Sequence, residues 1–247
     1  MDDNYEAPVV IRSEEPFLDV GDTPCTMTFD IETDPCFAMW RNNASGPYTS
    51  IGSGFSGTYR TRSSWDNDTD IFWLSSAGYA GEGFVPGYSN FTSRPDSWAT
   101  SVVKMQTGNP SGTVKLRSRD PRVAPAINFN FFSKNSDRDL NALTEAAQVL
   151  LDAATNAGFN YEVILPELAN MRQSIMDNTF SHHAVSSCRM GRPSANDTCV
   201  DSKFRVHGVK NLRVVDASVF PRAPGAFANG PTFTISRKAL KDILDGN

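Results

Sequence analysis

Two adjacent histidines, His182 and His183, are the residues of this sequence best suited to acid–base chemistry. A neutral imidazole accepts a proton near physiological pH, so either side chain could act as a general base. In an extended strand, however, neighbouring side chains point to opposite faces, which places the two rings poorly for sharing one metal ion. With three histidines and no CxxC motif in the chain, the sequence predicts no metal site.

A short strand and a helix start follow these histidines along the chain. Residues 212–215 (LRVV) are rich in β-branched side chains, which predicts a strand that ends at Asp216. Asn229 precedes Gly230 and Pro231 in the manner of a helix N-cap. The helix is supported by apolar residues at helical spacing, namely Ile235, Ala239, Leu240, Ile243 and Leu244. A helix N-terminus suits an anionic group, so a histidine, an Asp-ended strand and this helix predict a redox site.

The segments before these residues predict an α+β fold, with an antiparallel sheet and packing helices. Residues 17–100 are rich in Gly, Pro, Ser, Asn and aromatic residues, which is typical of strands joined by long loops. Strands are predicted within residues 70–74, 98–105 and 113–116. Helical spacing of apolar residues predicts one helix from an N-cap at Ser136 to Gly158, and another over residues 166–176.

A GxGxxG pattern occurs at Gly52, Gly54 and Gly57, but its surroundings do not suit a nucleotide site. The fingerprint binds a pyrophosphate only between a buried strand and a helix. Here the preceding residues are turn-like and the following ones are polar, without a helical apolar stripe. The pattern is interpreted as a flexible loop.

The composition excludes some classes of function. A net charge of −5 argues against a nucleic-acid partner, and no apolar run approaches the length of a membrane span. The four cysteines are Cys25, Cys36, Cys188 and Cys199, and their equal spacing within two pairs invites two local disulfides. Three connectivities are nevertheless possible, and the sequence does not choose among them. The N-x-Ser/Thr sequons at Asn43, Asn67, Asn90 and Asn196 would matter only in a secreted protein, so secretion and a cytoplasmic location both stay open.

Several separated motifs resemble the C-terminal part of the glucose-methanol-choline (GMC) oxidoreductases, a family that uses FAD. The resemblance is carried by His183, Ser186, Ser187, Cys188, Met190 and Gly191, by Val200-Asp201, and by residues 205–208, 212–218 and 112–132. It implies a substrate-binding domain over residues 1–175 and a returning strand–helix segment of the FAD-binding domain over residues 176–247. The family's pyrophosphate fingerprint would precede Asp3-Asn4 and is not in this sequence.

The resemblance also implies roles for individual residues. His183 falls on the family's catalytic histidine, the base that takes the alcohol proton as hydride leaves for the flavin. Asp216, Ala217, Ala228 and Asn229 would approach the flavin, partly through backbone groups. A second His or Asn usually precedes the last helix, but Phe227 occupies that position by an ungapped count. Asn229, two residues later, has then either taken the role through a loop shift or is only an N-cap, with one donor missing.

The predicted function is FAD-dependent oxidation of a small-molecule alcohol to a carbonyl in the complete enzyme. The sequence of residues 220–227 (FPRAPGAF) resembles the branch of this family that acts in fungal secondary metabolism. Two alternatives remain open. The chain could be a non-catalytic fragment or pseudo-enzyme that needs an N-terminal FAD-binding half as its partner. It could also belong to an FAD-containing lyase or cyclase of the same family.

Overall fold

The structure is a computed structural model that describes residues 1–15, 17, 25, 28, 30–49, 54–77, 94 and 96–246. The sequon at Asn90 and the first glycine of the GxGxxG pattern, Gly52, lie outside the described residues. Within them the fold is α+β, as predicted from the sequence.

A five-stranded antiparallel sheet forms the centre of the molecule. Its strands, in spatial order, are β2 (Phe55–Tyr59), β3 (Ile71–Ala77), β4 (Ser97–Lys104), β1 (Tyr5–Ser13) and β7 (Tyr161–Leu165). The predicted strands at 70–74 and 98–105 correspond to β3 and β4. β1 was not predicted, yet it pairs with both β4 and β7, and its residues 5–11 are all buried. A separate two-stranded sheet contains β5 (Thr113–Lys115), within the predicted segment 113–116, and β6 (Ala126–Asn128).

The long helix α2 (Ser136–Asn156) covers this sheet and builds the main core. Its buried face carries Leu140, Leu143, Ala146, Ala147 and Leu151, which pack with Val9, Ile11, Ile71 and Val102 of the sheet. Burying each of the leucine, isoleucine and valine side chains contributes about 1.5–3 kcal/mol. The predicted N-cap was wrong: Ser136 is the first helical residue, and Asn135 caps the helix in the left-handed region without a side-chain hydrogen bond. The backbone conformations of Asn135 and Ser136 depend on the turn before the helix. The apolar spacing of the helix does not specify that turn, so the first residue was predicted one position too late.

Two shorter helices complete the part of the fold around the main sheet. The predicted helix at 166–176 begins as a 3₁₀ turn (Leu168–Asn170) and continues as α3 (Met171–Asn178), which buries Ile175 against the core. In the loop-rich region, α1 (Pro35–Asn43) is capped by Asp34, whose side chain accepts hydrogen bonds from the backbone N–H groups of Cys36 and Phe37. A further 3₁₀ turn spans Pro47–Thr49.

The C-terminal residues fold around a second, smaller hydrophobic cluster. Val200, Phe204, Val219 and Ala239 are its buried members, and Ala239 comes from the last helix, α4 (Asn229–Leu244). Residues 212–215 do not form the predicted strand. Their described pairing is a single bridge between Arg205 and Arg213, because a strand needs a ladder partner and sequence propensity supplies none.

Asn229 is not the N-cap that the sequence predicted. The cap residue is Ala228, in a helical conformation and without a side-chain hydrogen bond, and Asn229 is the first residue of α4. The methyl group of Ala228 cannot accept a hydrogen bond, and its backbone (φ −76°, ψ −16°) is not the extended one typical of a side-chain cap.

The GxGxxG pattern has no nucleotide-binding context in the part that the structure describes. Gly57 lies inside β2, which pairs with β3 and is therefore followed by a strand rather than a helix. The interpretation as a flexible loop was wrong for Gly57, because β3 provides a ladder partner that the sequence around the glycines does not reveal.

The disulfide pairing left open by the sequence is local. Cys25 pairs with Cys36, and Cys188 pairs with Cys199. The second disulfide closes the loop between the His183 segment and the small cluster. None of the described helices is both long enough and apolar enough to cross a membrane.

Candidate active site

The segment that carries the two histidines lies alongside the start of β1. Isolated antiparallel bridges join Asp2 to Val185 and Glu6 to Phe180, each through two backbone hydrogen bonds of 2.9–3.0 Å. Between these bridges, residues 3–5 face residues 181–184, so the histidine side has one residue more than its partner. An extra residue of this kind acts as a β-bulge and re-aims the side chains around it.

The extra residue brings both histidine rings to one carboxylate. Glu6 Oε1 lies 3.2 Å from Nδ1 of His182 and 3.1 Å from Nδ1 of His183. One potential ligand atom of each of the three side chains lies within 4.8 Å of the others. The expectation that the two rings point to opposite faces was therefore wrong, because regular alternation is interrupted at the bulge. The prediction of no metal site stays a prediction.

Glu6 is a buried carboxylate in the mostly apolar, buried stretch of β1 over residues 5–11. Its side chain is 5% exposed, and Oε2 accepts a hydrogen bond of 3.0 Å from the Ser101 hydroxyl. Desolvation by burial lowers the pKa of His182, while the Glu6 charge raises it and His183 lowers it further. The net lowering favours a neutral His182 at physiological pH.

Asp3 and Asn4 hold His183 from the other side. Asp3 Oδ1 accepts from the backbone N–H of Asn4 at 2.9 Å and from that of His183 at 3.2 Å. Desolvation raises the pKa of the Asp3 carboxyl to about 6, although these hydrogen bonds and the nearby His183 oppose the rise. The side chain of Asn4 is 3.1 Å from the His183 ring, measured from Oδ1 to Nδ1.

Phe227 closes the apolar side of the His183 ring. The two rings meet edge to face with centroids 5.3 Å apart, and Phe72 from β3 packs against Phe227 at 5.1 Å in the same manner. His183 thus lies between polar groups from the start of β1 and an aromatic side chain from the loop before α4. Its side chain is 18% exposed, which leaves part of the ring accessible to a small molecule.

The other predicted site residues make local contacts. Asp216 caps the 3₁₀ turn Ala217–Val219 by accepting a 2.8 Å hydrogen bond from the Ser218 N–H. The carbonyl of Ala228 accepts from the backbone and hydroxyl of Thr232 inside α4. Asn229 is exposed at the first position of that helix. Of these predicted residues, Phe227 is the one whose described contacts reach His183.

The start of α4 fits a large anionic or electron-rich group such as a flavin. The N-cap residue Ala228 makes no side-chain cap hydrogen bond, so its side chain leaves the first backbone N–H groups of α4 open to another acceptor. A Cβ built on Gly230 would meet no atom within 4 Å, which leaves room for close approach. The partial positive charge of a helix N-terminus would stabilise negative charge on a bound group.

Three of the residues around His183 were not predicted as site residues. Asp3, Asn4 and Glu6 are each at most 5% exposed, and all lie where β1 begins. A run of polar residues directly before an apolar strand is a weak signal for such a cluster. Their distance of about 180 residues from His183 hides the contact from local patterns.

Comparison with known proteins identifies the family of this chain. The model of the GMC oxidoreductase family matches residues 108–236, just over half of the chain. The chain belongs to the GMC oxidoreductase family. FAD is the cofactor of the family's oxidoreductases, and two of the similar solved structures concern modification of the FAD in a formate oxidase.

Two relatives illustrate how much of a GMC oxidoreductase this chain represents. "Glucose methanol choline oxidoreductase atC" of Aspergillus terreus is 34% identical over 217 residues, which cover 82% of this chain and 35% of the relative. An oxygen-dependent choline dehydrogenase of Staphylococcus saprophyticus is 35% identical over 56% of this chain and 26% of its own length. The chain therefore spans about a third of the first relative's length.

Solved structures show the same fold. A formate oxidase from Aspergillus oryzae matches with a TM-score of 0.75 and 21% identity, over 100% of this chain and 47% of that one. A pyridoxine 4-oxidase matches with a TM-score of 0.67 and 17% identity, over 98% of this chain and 42% of the other. At these identities the likeness shows the fold and not the substrate.

Proposed function

We propose that this chain supplies the substrate-facing part and the general base of an FAD-dependent enzyme that oxidises an alcohol to a carbonyl. The observation that carries the proposal is the position of His183. Its sequence position matches the family's histidine motif, and its partly exposed ring is held by Asn4, Glu6 and Phe227. The proposed division is a substrate-binding domain over residues 1–175 and a segment of the FAD-binding domain over residues 176–247.

The proposed chemistry needs one proton acceptor and one hydride acceptor. His183 takes the hydroxyl proton of the alcohol, so that the O–H bond breaks as the carbonyl forms. FAD, when bound, accepts the hydride from the carbinol carbon. The protonated ring that results faces the Glu6 carboxylate at 3.1 Å, which stabilises its positive charge. Phe227 packs edge to face against the ring and fixes its orientation.

Asp216, Ala217, Ala228 and Asn229 are proposed to lie along the flavin. The support is the uncapped start of α4 next to the open space at Gly230. Asn229 is exposed in this first turn, where its amide could donate to a substrate or flavin oxygen. Phe227 cannot provide such a donor, so Asn229 is the proposed second polar group of the site.

The remainder of the FAD is proposed to be held by a polypeptide region outside these 247 residues. One support is that the chain spans 35% of its Aspergillus relative. The other is the exposed apolar surface of α4, where Phe233 is 77% and Leu244 76% exposed and Leu240 also faces solvent. Apolar surface of this kind is typical of a face that packs against another part of an assembly.

The test combines this chain with an FAD-binding polypeptide that completes it and follows bleaching of the visible flavin absorption by candidate alcohols. The variant His183→Asn should slow bleaching by about 10²–10⁴-fold, the usual contribution of a general base. His207→Asn is the matched control, since His207 contacts the Gly191 carbonyl and is not placed in the site. Near-normal bleaching by the His183 variant would remove it as the base. Anaerobic turnover without flavin bleaching, in the absence of any other electron acceptor, would instead indicate a lyase.

A further inference from the structure

The side-chain amide of Asn4 has a fixed orientation. Its Nδ2 lies 2.9 Å from the carbonyl oxygen of Ala226 and 3.3 Å from that of Gly225. Carbonyl oxygens only accept hydrogen bonds, so the NH₂ group of the amide must face these two atoms. The Oδ1 atom therefore faces the opposite way, where it is 3.1 Å from Nδ1 of His183.

This orientation determines where His183 carries its proton. An amide oxygen cannot donate, so the hydrogen bond to Asn4 requires a proton on His183 Nδ1. Glu6 Oε1, another acceptor, lies 3.1 Å from the same nitrogen. A neutral imidazole has a single N–H, and with the proton on Nδ1 its lone pair is on Nε2.

We propose that Asn4 is a positioning residue that holds neutral His183 in the Nδ1–H tautomer and so presents the Nε2 lone pair to the substrate. The catalytic meaning of this tautomer rests on the proposed role of His183 as the base. When Nε2 takes the alcohol proton, a new N–H bond forms as the O–H bond breaks, and bound FAD would supply the hydride acceptor. The Nδ1–H stays on Asn4 throughout, so the ring keeps its orientation during the transfer.

Asparagine suits the positioning of His183 better than leucine or aspartate, which have a similar size. Leucine has the same size but no acceptor for the Nδ1–H. Aspartate keeps an acceptor for His183 but cannot donate to the carbonyls of Gly225 and Ala226. Asn4 is 1% exposed, so water does not compete for these hydrogen bonds. The same amide also ties the loop that carries Phe227 to the start of β1.

The direct test is the tautomer of His183 in the purified 247-residue chain, read from long-range ¹H–¹⁵N correlations of ¹⁵N-labelled histidine above the histidine pKa. The wild-type chain should show a protonated Nδ1 and an unprotonated Nε2 at His183. An Nε2–H tautomer in the wild type would overturn the proposal without any variant.

Variants separate Asn4 from its neighbours. Asn4→Leu should lower the Nδ1–H population of His183, whereas Asn4→Asp, which keeps an acceptor, should preserve it. Glu6→Leu, which removes the other acceptor, should also preserve it, and Asn141→Leu, on the exposed side of α2, is a matched control for the substitution itself. An unchanged tautomer in Asn4→Leu, or its loss in Glu6→Leu, would assign the effect to Glu6 and refute the proposal. If Asn4→Leu does not fold, the Glu6→Leu spectrum still decides, because the Nδ1–H tautomer survives there only if Asn4 holds it.

Activity of the completed, FAD-loaded assembly gives a separate measurement. Asn4→Leu should lower kcat by about tenfold or more with little change in KM, because the base is misoriented while substrate contacts remain. Asn4→Asp should recover part of the loss. An unchanged kcat with a changed tautomer would reject the positioning role. If His183→Asn itself leaves turnover intact, the proposed function fails, while the tautomer measurement on the chain still stands by itself.

Discussion

His183 and Phe227 meet edge to face, with ring centroids 5.3 Å apart and an interplanar angle of 74°. Phe227 is in turn held by Phe72 at 5.1 Å, so one aromatic chain links β3 to the histidine. The ring of Phe227 thus packs against the proposed base. We expect this contact to orient the histidine, which a smaller apolar side chain would do less well.

Replacing Phe227 with leucine should therefore weaken catalysis without abolishing it. An aromatic pair contributes about 0.5–1.5 kcal/mol beyond its buried area, so kcat of the completed enzyme should fall by up to about tenfold. Steady-state alcohol oxidation measures the effect. Phe159→Leu is the matched control, because Phe159 is half exposed and contacts Phe17 at 5.9 Å, away from the site. Equal kcat values for Phe227→Leu and the control would contradict an orienting role.

Local patterns predicted the elements whose information lies within one segment. The apolar spacing of α2 predicted its buried face, and local residue patterns predicted the strands β3 and β4 but not their pairing with each other. The chain's membership of the GMC family also followed from the sequence, because each of the motifs that carry the resemblance can be read within one short segment. These features need no knowledge of distant partners.

The arrangement around His183 could not be predicted in the same way. It depends on one extra residue in segment 181–184 relative to residues 3–5, and on pairing across about 180 residues. A one-residue difference in register reverses which face a side chain occupies, so the expected separation of His182 and His183 failed. The prediction of Asn229 as the N-cap of α4 was also wrong. The helix begins one residue earlier than the residue types suggest, with Ala228 at the cap position.

The shared carboxylate of Glu6 leads to a prediction about His182. The Glu6 charge raises the pKa of His182 against the lowering by burial. In Glu6→Gln the charge is lost while the size is kept. The pKa of His182 should therefore be lower in this variant than in the wild type. NMR titration of the His182 ring proton measures it. Glu162→Gln, an exposed substitution on β7, should leave the pKa of His182 where it was. A pKa that rises or does not move in Glu6→Gln would show that Glu6 and His182 are not close in solution.

Asp139 makes a prediction about the pH dependence of stability. Burial raises the pKa of its carboxyl to about 6, although the hydrogen bond from the Gly108 N–H and the charges of Lys104 and Arg138 oppose the rise, and Asp2 adds to it. The folded chain then binds more protons than the unfolded chain between about pH 4 and pH 6, so its free energy of unfolding falls as pH rises through that range.

Asp139→Asn removes this pH-dependent term and keeps an oxygen for the Gly108 N–H. The wild type should lose about 2 kcal/mol more than the variant between pH 4 and pH 7, most of the effect of a shift of about two pKa units at 1.36 kcal/mol each. Urea unfolding at several pH values measures the difference, with the exposed Asp137→Asn on the same helical turn as control. The carboxyl of Asp3, whose pKa is also raised to about 6, keeps its own contribution in every variant. Parallel stability profiles for Asp139→Asn and the wild type would mean that Asp139 is not the desolvated acid described here.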